Sequence, residues 1–151
     1  MKWEKISVLH DADAVAGIAM YPIESAEKIQ EDYFTAYFHR PSFPFQDSSV
    51  KCNLIRTAGS TWPVSIDKVE THSEPEVFCF VEGISTMLFV DVHDSKPDLE
   101  SAVLLKIPPG TVLQISKGKA HYIGPALTPT AVCMVVESAH ASTLYYPLDQ
   151  P

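Results

Sequence analysis

From Lys51 to Tyr146 the chain is a succession of short apolar-rich runs separated by turn residues. The runs Lys51–Thr57, Trp62–Glu70, Glu76–Val81, Thr86–Val92, Ala102–Ile107, Thr111–Ser116, Ala131–Glu137 and Thr143–Tyr146 read as β-strands. Ala58-Gly59-Ser60, Glu82-Gly83, Asp94 to Asp98, Pro108-Pro109-Gly110, Lys117-Gly118-Lys119 and Ile123-Gly124-Pro125 read as turns. Strands of this length and spacing predict an antiparallel sandwich or small barrel. The first third differs. Residues 10–33 mix Ala, Asp, Glu and Ile, with a short helix expected over Ser25 to Asp32. Tyr33 to Phe45, crowded with aromatics and prolines, reads as an irregular arm or edge strand packed on the main body. There is no internal repeat. The expectation is one all-β domain over 1–151, with 1–50 as arm and edge elements and 51–147 as the barrel.

Composition sharpens this picture. Twelve prolines against six glycines in 151 residues disfavour long helices, a helical bundle or a coiled coil. Eleven basic against nineteen acidic residues give a net charge of −8, which lacks the basic field that nucleic-acid binding requires. The longest apolar run, Ala131 to Val136, is far short of the ~20 residues that span a bilayer. The residues after Met1 show no apolar signal-peptide core. Cys52, Cys79 and Cys133 are odd in number and include no CxxC pair, so a thiolate zinc site or redox dithiol is not expected. A reducing, cytoplasmic setting follows by default.

Nucleotide-binding and nucleophile signatures are missing: there is no GxGxxG, GxxxxGK[ST] or GxSxG. The informative stretch is Glu70-Thr71-His72-Ser73-Glu74-Pro75-Glu76. Residues two apart on a strand face one side, so Glu70 and His72 can point together into a barrel, and Glu76 can join them across the turn. Two carboxylates and an imidazole suit a divalent first-row metal, or form an acid/base set without one. Polar residues meeting water at a strand end give the plainer account.

The spacing resembles the first cupin motif, H-x-H, three or four residues, Glu, six residues, Gly. Glu70 stands at its first His, His72 at its second, Glu76 at its Glu, and Gly83 closes it. Pro108-Pro109-Gly110 resembles the start of the second motif, P-x-G-x-x-H, but Leu113 replaces its His. The stretch from Arg56 to about Pro125 is similar to the ureidoglycolate lyase family, a branch with the cupin (RmlC-like) fold. Arg56 precedes His72 by the family's sixteen residues, and Asp94-Ser95-Lys96-Pro97-Asp98-Leu99 resembles its D-K-P-D-L turn. Of the family's later histidine-rich segment only His121 remains, with Ser116, Ala120 and Tyr122 at the neighbouring positions.

The resemblance implies an all-β, antiparallel cupin barrel or jelly roll that splits ureidoglycolate into glyoxylate and urea. This is the breakdown of a carbinolamine, which needs two proton transfers and a held carboxylate. His72, Glu76 and His121 are the candidate catalytic groups, and Arg56 is the candidate carboxylate clamp, because its planar fork binds two oxygens. Tyr122 or Lys119 would assist at the barrel mouth. A metal, if bound, would sit on Glu70, His72, Glu76 and His121; manganese, zinc, nickel and iron suit that set, and no metal at all is an equal expectation. His10, His39, His93 and His140 read as surface or packing residues. The expected partner is a small anionic metabolite, with neither nucleic acid nor membrane, in a homodimer. The alternative is a cupin that binds a small carboxylate or sugar without turning it over.

Overall fold

The computed structural model describes residues 2–3, 15–38, 42–43, 45–46 and 49–148. In chain order its strands are β1 (Lys2–Trp3), β2 (Ile18–Tyr21), β3 (Glu27–Gln30), β4 (Thr35–Phe38), β5 (Val50–Ala58), β6 (Val64–Ser65) and β7 (Lys68–His72). They continue as β8 (Glu76–Glu82), β9 (Ser85–His93), β10 (Lys96–Ile107), β11 (Val112–Ile115), β12 (Ala120–Ile123), β13 (Thr130–Ser138) and β14 (Thr143–Pro147). Two five-stranded antiparallel sheets carry the fold, ordered β10-β9-β12-β7-β14 and β2-β11-β8-β13-β5. Two short ladders, β1-β6 and β3-β4, lie outside them. The chain is all-β, as the run pattern predicts. Among the described residues no helix is long and apolar enough to cross a membrane.

Side-chain alternation assigns the two sheets their inner faces. Phe78, Phe80, Met87, Phe89, Leu105, Ile107, Leu113, Ile115, Cys133 and Val135 fill the space between them. The outer face of the first sheet has a second core, in which Val69, Leu88, Val90 and Leu104 pack under Trp62, Ile66 and Leu148. This explains why Ser85 to Val90 lacks alternation: β9 is buried on both faces at each of these positions. The outer face of the second sheet is more open, with Leu54 70% and Val81 63% exposed. At the β8–β9 turn, Gly83 has φ +69, and a side-chain carbon there would run into the Thr130 carbonyl.

Three local expectations are corrected. The stretch Ser25 to Asp32 is not a helix: a 3-10 turn at Ile23–Ser25 leads into β3, which pairs with β4 from Glu27↔Phe38 to Gln30↔Thr35. Ala26 and Ile29 would share one helix face, but two residues bury too little to hold a helix of this length. The aromatic arm is half of that hairpin. Its Tyr33, Phe34, Tyr37 and Phe38 stay exposed rather than packing down, while Phe43 meets the Tyr21 ring edge-on at 6.3 Å. Residues 39–41 and 44 of this stretch, and His10, lie outside the described residues. The turn read at Asp94 to Asp98 shrinks to Asp94 and Ser95, both at positive φ, and β10 begins at Lys96. Pro97 is tolerated because β10 is an edge strand.

Candidate functional site

Two rows of side chains face each other across one end of the sandwich. In the first sheet Phe89, His121, Glu70 and Tyr145 stand side by side on β9, β12, β7 and β14. In the second sheet Ile115, Glu76, Glu137 and Lys51 stand side by side on β11, β8, β13 and β5. His72, one inward position along β7 from Glu70, lies opposite Thr143. The strand registers therefore bring Glu70, His72, Glu76 and His121 together, although 51 residues separate the first from the last.

The contacts are close and dry. His121 Nε2 lies 2.9 Å from Glu76 Oε2, and His72 Nε2 lies 3.4 Å from the same oxygen. His72 Nε2 is 3.9 Å from Glu70 Oε1, beyond hydrogen-bond length. The imidazole rings sit 5.4 Å apart between centroids, with Phe78 and Phe89 against His121. His121 Nδ1 is 3.0 Å from the Lys119 carbonyl. A carbonyl only accepts, so Nδ1 holds a proton and a neutral His121 aims its Nε2 lone pair into the cluster. The Nδ1 of His72 is likewise occupied, 3.0 Å from Thr143 Oγ1.

Despite their proximity, His72 Nε2, His121 Nε2 and Glu76 Oε2 are buried with no aligned hydrogen-bond partner. The 2.9 Å approach is a contact by distance, not a well-directed bond. Glu76 and Glu137 are also direct cross-strand neighbours, a pairing of like charges that a β-ladder disfavours. Buried donors that converge without a partner, among carboxylates that repel, are what a cation would satisfy. Each imidazole has its second nitrogen tied, the arrangement that orients metal-ligating histidines. Donor atoms of Glu70, His72 and His121 lie within 4.8 Å of one another, and so do those of His72, Glu76 and Glu137. The donor set fits a divalent first-row metal.

Charge in the cluster is mutually adjusted. Burial pushes the His72 pKa down, but Glu70, Glu76 and Glu137 outweigh it and raise the pKa above its usual value. Burial pushes Glu70 up, but His72, His121 and the Tyr145 hydroxyl outweigh it and hold the carboxyl low. Tyr145 in turn is raised, chiefly by the Glu70 charge.

Two expected groups are elsewhere. Arg56 is exposed on β5, whose inward positions are Lys51, Asn53 and Ile55, so the strand's alternation turns it away. Tyr122 follows His121 on β12 and faces the other way, packed with the outer core of the first sheet. Lys119 is engaged by Asp91. Leu113, at the missing motif histidine, is fully buried apolar core. The cavity beside the cluster has a volume of about 240 Å³ and is lined by Lys51, Asn53, Glu70, Glu137, Thr143 and Tyr145 among others. Sequence reading missed the groups from β5, β13 and β14. The available signal was Glu137, a carboxylate ending the otherwise apolar run from Ala131.

No family model matches the chain, and no curated protein is significantly similar to it. Solved structures do share its architecture. RmlC from Streptococcus suis, in complex with dTDP-D-xylose, superposes with a TM-score of 0.56 at 12% identity, over 91% of this chain and 72% of that one. A dTDP sugar isomerase from Desulfovibrio desulfuricans G20 gives 0.54 at 10% identity, over 86% and 85%. The dTDP-4-dehydrorhamnose 3,5-epimerase of Elizabethkingia anophelis NUHP1 gives 0.53 at 11% identity, over 89% and 75%. The fold is thus that of an RmlC-like cupin, with a histidine–glutamate cluster between its sheets. At such identities the likeness concerns the fold.

Proposed function

We propose that this protein is a divalent-metal-dependent cupin enzyme acting on a small polar metabolite. The observation that carries the reading is the convergence of His72 Nε2, His121 Nε2 and Glu76 Oε2, all buried and unpartnered. Glu70 lies within reach of the two imidazoles, and Glu137 within reach of His72 and Glu76. A bound ion would supply Lewis acidity to a substrate hydroxyl or carboxylate. The chain's own groups would orient and exchange protons. Thr143 and the Lys119 carbonyl fix the two imidazoles, and the Tyr145 hydroxyl, next to Glu70 at the cavity side, is the group placed to pass a proton. Phe78 and Phe89 exclude water from the inner side.

Size narrows the substrate class. About 240 Å³ lies below the ~300–1,000 Å³ of sites for drug-sized ligands. That suits a small metabolite better than a nucleotide sugar such as the dTDP-D-xylose held by the Streptococcus suis protein. Ureidoglycolate cleavage is the finer reading within this class. The Glu70–His72–Glu76 spacing and the closeness of His121 favour it; the outward Arg56 removes the clamp it called for. Homodimerisation rests on the exposed aromatic hairpin of β3 and β4 as well as on family likeness.

The test is metal analysis after reconstitution with manganese, zinc, nickel or iron, followed by glyoxylate release from racemic ureidoglycolate. One ion per chain, lost in the Glu76→Gln variant, supports the metal reading. No stoichiometric uptake of any of the four overturns it, and uptake without glyoxylate release removes only the lyase reading.

A further inference from the structure

Opposite the imidazoles, the cavity wall carries two polar side chains outside the metal-donor groups, Lys51 and Asn53. By the alternation of β5, Lys51 and Asn53 both face inward, and both reach Glu137 on the neighbouring strand. Asn53 Nδ2 donates to Glu137 Oε1 at 2.8 Å, and Lys51 Nζ lies 3.3 Å from the same oxygen. A carboxylate only accepts, so the orientation of the Asn53 amide is fixed by chemistry. Glu137 is mostly buried at 13% exposure, whereas the Lys51 side chain is 48% exposed. Among the described residues lining this cavity, Lys51 has the one amine or guanidinium, against the carboxylates of Glu70, Glu76 and Glu137.

Two donors on one oxygen provide redundancy. If Lys51 swings toward a ligand, Asn53 still satisfies Glu137, so the buried carboxylate is not left unpartnered, which would otherwise be costly. Glu137 in turn has a carboxylate oxygen within 4.8 Å of donor atoms of His72 and Glu76, so Lys51 stands one side chain away from the cluster. A molecule only a few bonds long can therefore present one end to Lys51 and the other to the His72–Glu76–His121 atoms.

We propose that Lys51, freed from Glu137 by the second donor Asn53, is the group by which this site recognises the carboxylate of a small hydroxy acid. This rests on the metal-cupin reading for the far end of the ligand, and it assigns to Lys51 the role that sequence spacing offered to Arg56.

Calorimetric titration of the manganese-loaded protein with glycolate, and with glycolamide as its uncharged counterpart, tests the assignment. Wild type is expected to favour glycolate, and Lys51→Met to shrink that preference about tenfold or more, as loss of a charged hydrogen bond does. Manganese affinity should stay within about threefold, and Lys51→Arg should restore most of the preference. In Asn53→Leu, Lys51 is held by Glu137, and glycolate binding should weaken while manganese binding persists. A preference unchanged in Lys51→Met, or no glycolate binding by manganese-loaded wild type, overturns the proposal. The same titrations on metal-free protein separate the two ideas. If wild type takes up no manganese, the metal reading falls, and a glycolate preference that still depends on Lys51 sustains the clamp.

Discussion

The same strands pass through two different interiors. On β8, Glu76 and Phe80 are four residues apart and almost equally buried, at 4% and 2% exposure. Around Phe80 lie Met87, Leu105, Ile107 and Leu113, a sealed apolar packing that gains from every group removed from water. Around Glu76 lie His72 and His121, also removed from water, with Nε2 atoms that lack partners, and Glu137 stands alongside. One end stabilises the sandwich and the other opposes it. Strand pairing alone does not require that second end, and a carboxylate flanked by Phe78 would be expensive as a mere structural element. The apolar half supplies the rigidity on which the donor geometry of the polar half depends.

Substitutions at the two ends should therefore behave oppositely. Leu113→Ala, in the apolar half, is expected to cost about 2–5 kcal/mol in chemical denaturation, because it opens a cavity under both sheets. A loss below about 1 kcal/mol would break the comparison at its stable end. Glu76→Gln should reduce metal affinity by about a hundredfold or more in calorimetry while changing metal-free stability by only about 1 kcal/mol, since relief of the repulsion with Glu137 offsets the lost contacts to His72 and His121. Thr143→Val should weaken metal binding by about tenfold with little change in fold, because it releases the Nδ1 partner that orients His72.

A smaller effect is the pH dependence of the metal-free protein. The raised His72 contributes stability that is complete below its usual 6.5 and is lost as pH climbs through its folded-state value. The lowered Glu70 contributes above its usual 4.5 and loses that contribution as pH falls through its folded-state value. Melting temperatures should peak between these limits and fall as pH climbs through the raised folded-state value of His72, and His72→Gln should flatten the alkaline side. Equal slopes in variant and wild type would remove His72 from the coupling. Smallest of all, Arg56→Ala should shift the melting temperature by no more than about 2 °C and leave ligand binding unchanged, as befits an exposed side chain outside the cavity.

Much of this was legible in the chain. The runs at Lys51–Thr57, Glu76–Val81, Thr86–Val92, Ala131–Glu137 and Thr143–Tyr146 correspond to β5, β8, β9, β13 and β14 with no end displaced by more than one residue. Spacing and resemblance single out Glu70, His72, Glu76 and His121, and the fold brings these four together. The errors have specific causes. Local propensity favours a helix over Ser25 to Asp32, and the β3–β4 ladder overrides it. Ala120–Ile123 fell between two glycine turns too short to register as a strand, yet it is central to the first sheet.

What the sequence determines by itself is the all-β class, the acidic charge and the local E-x-H-x-x-x-E group, because alternation and spacing act over a few residues of one strand or turn. Which side chains share the cavity was decided only in the tertiary structure. Register sets Lys51 opposite Glu137 and Glu137 opposite Glu76, and the parity of β5 follows from that register. A shift of one residue would exchange Lys51 and Asn53 for Cys52 and Leu54 and bring Arg56 inward. That choice is made by burying Ile55 and Cys133 against the opposite sheet, an energy no single strand contains.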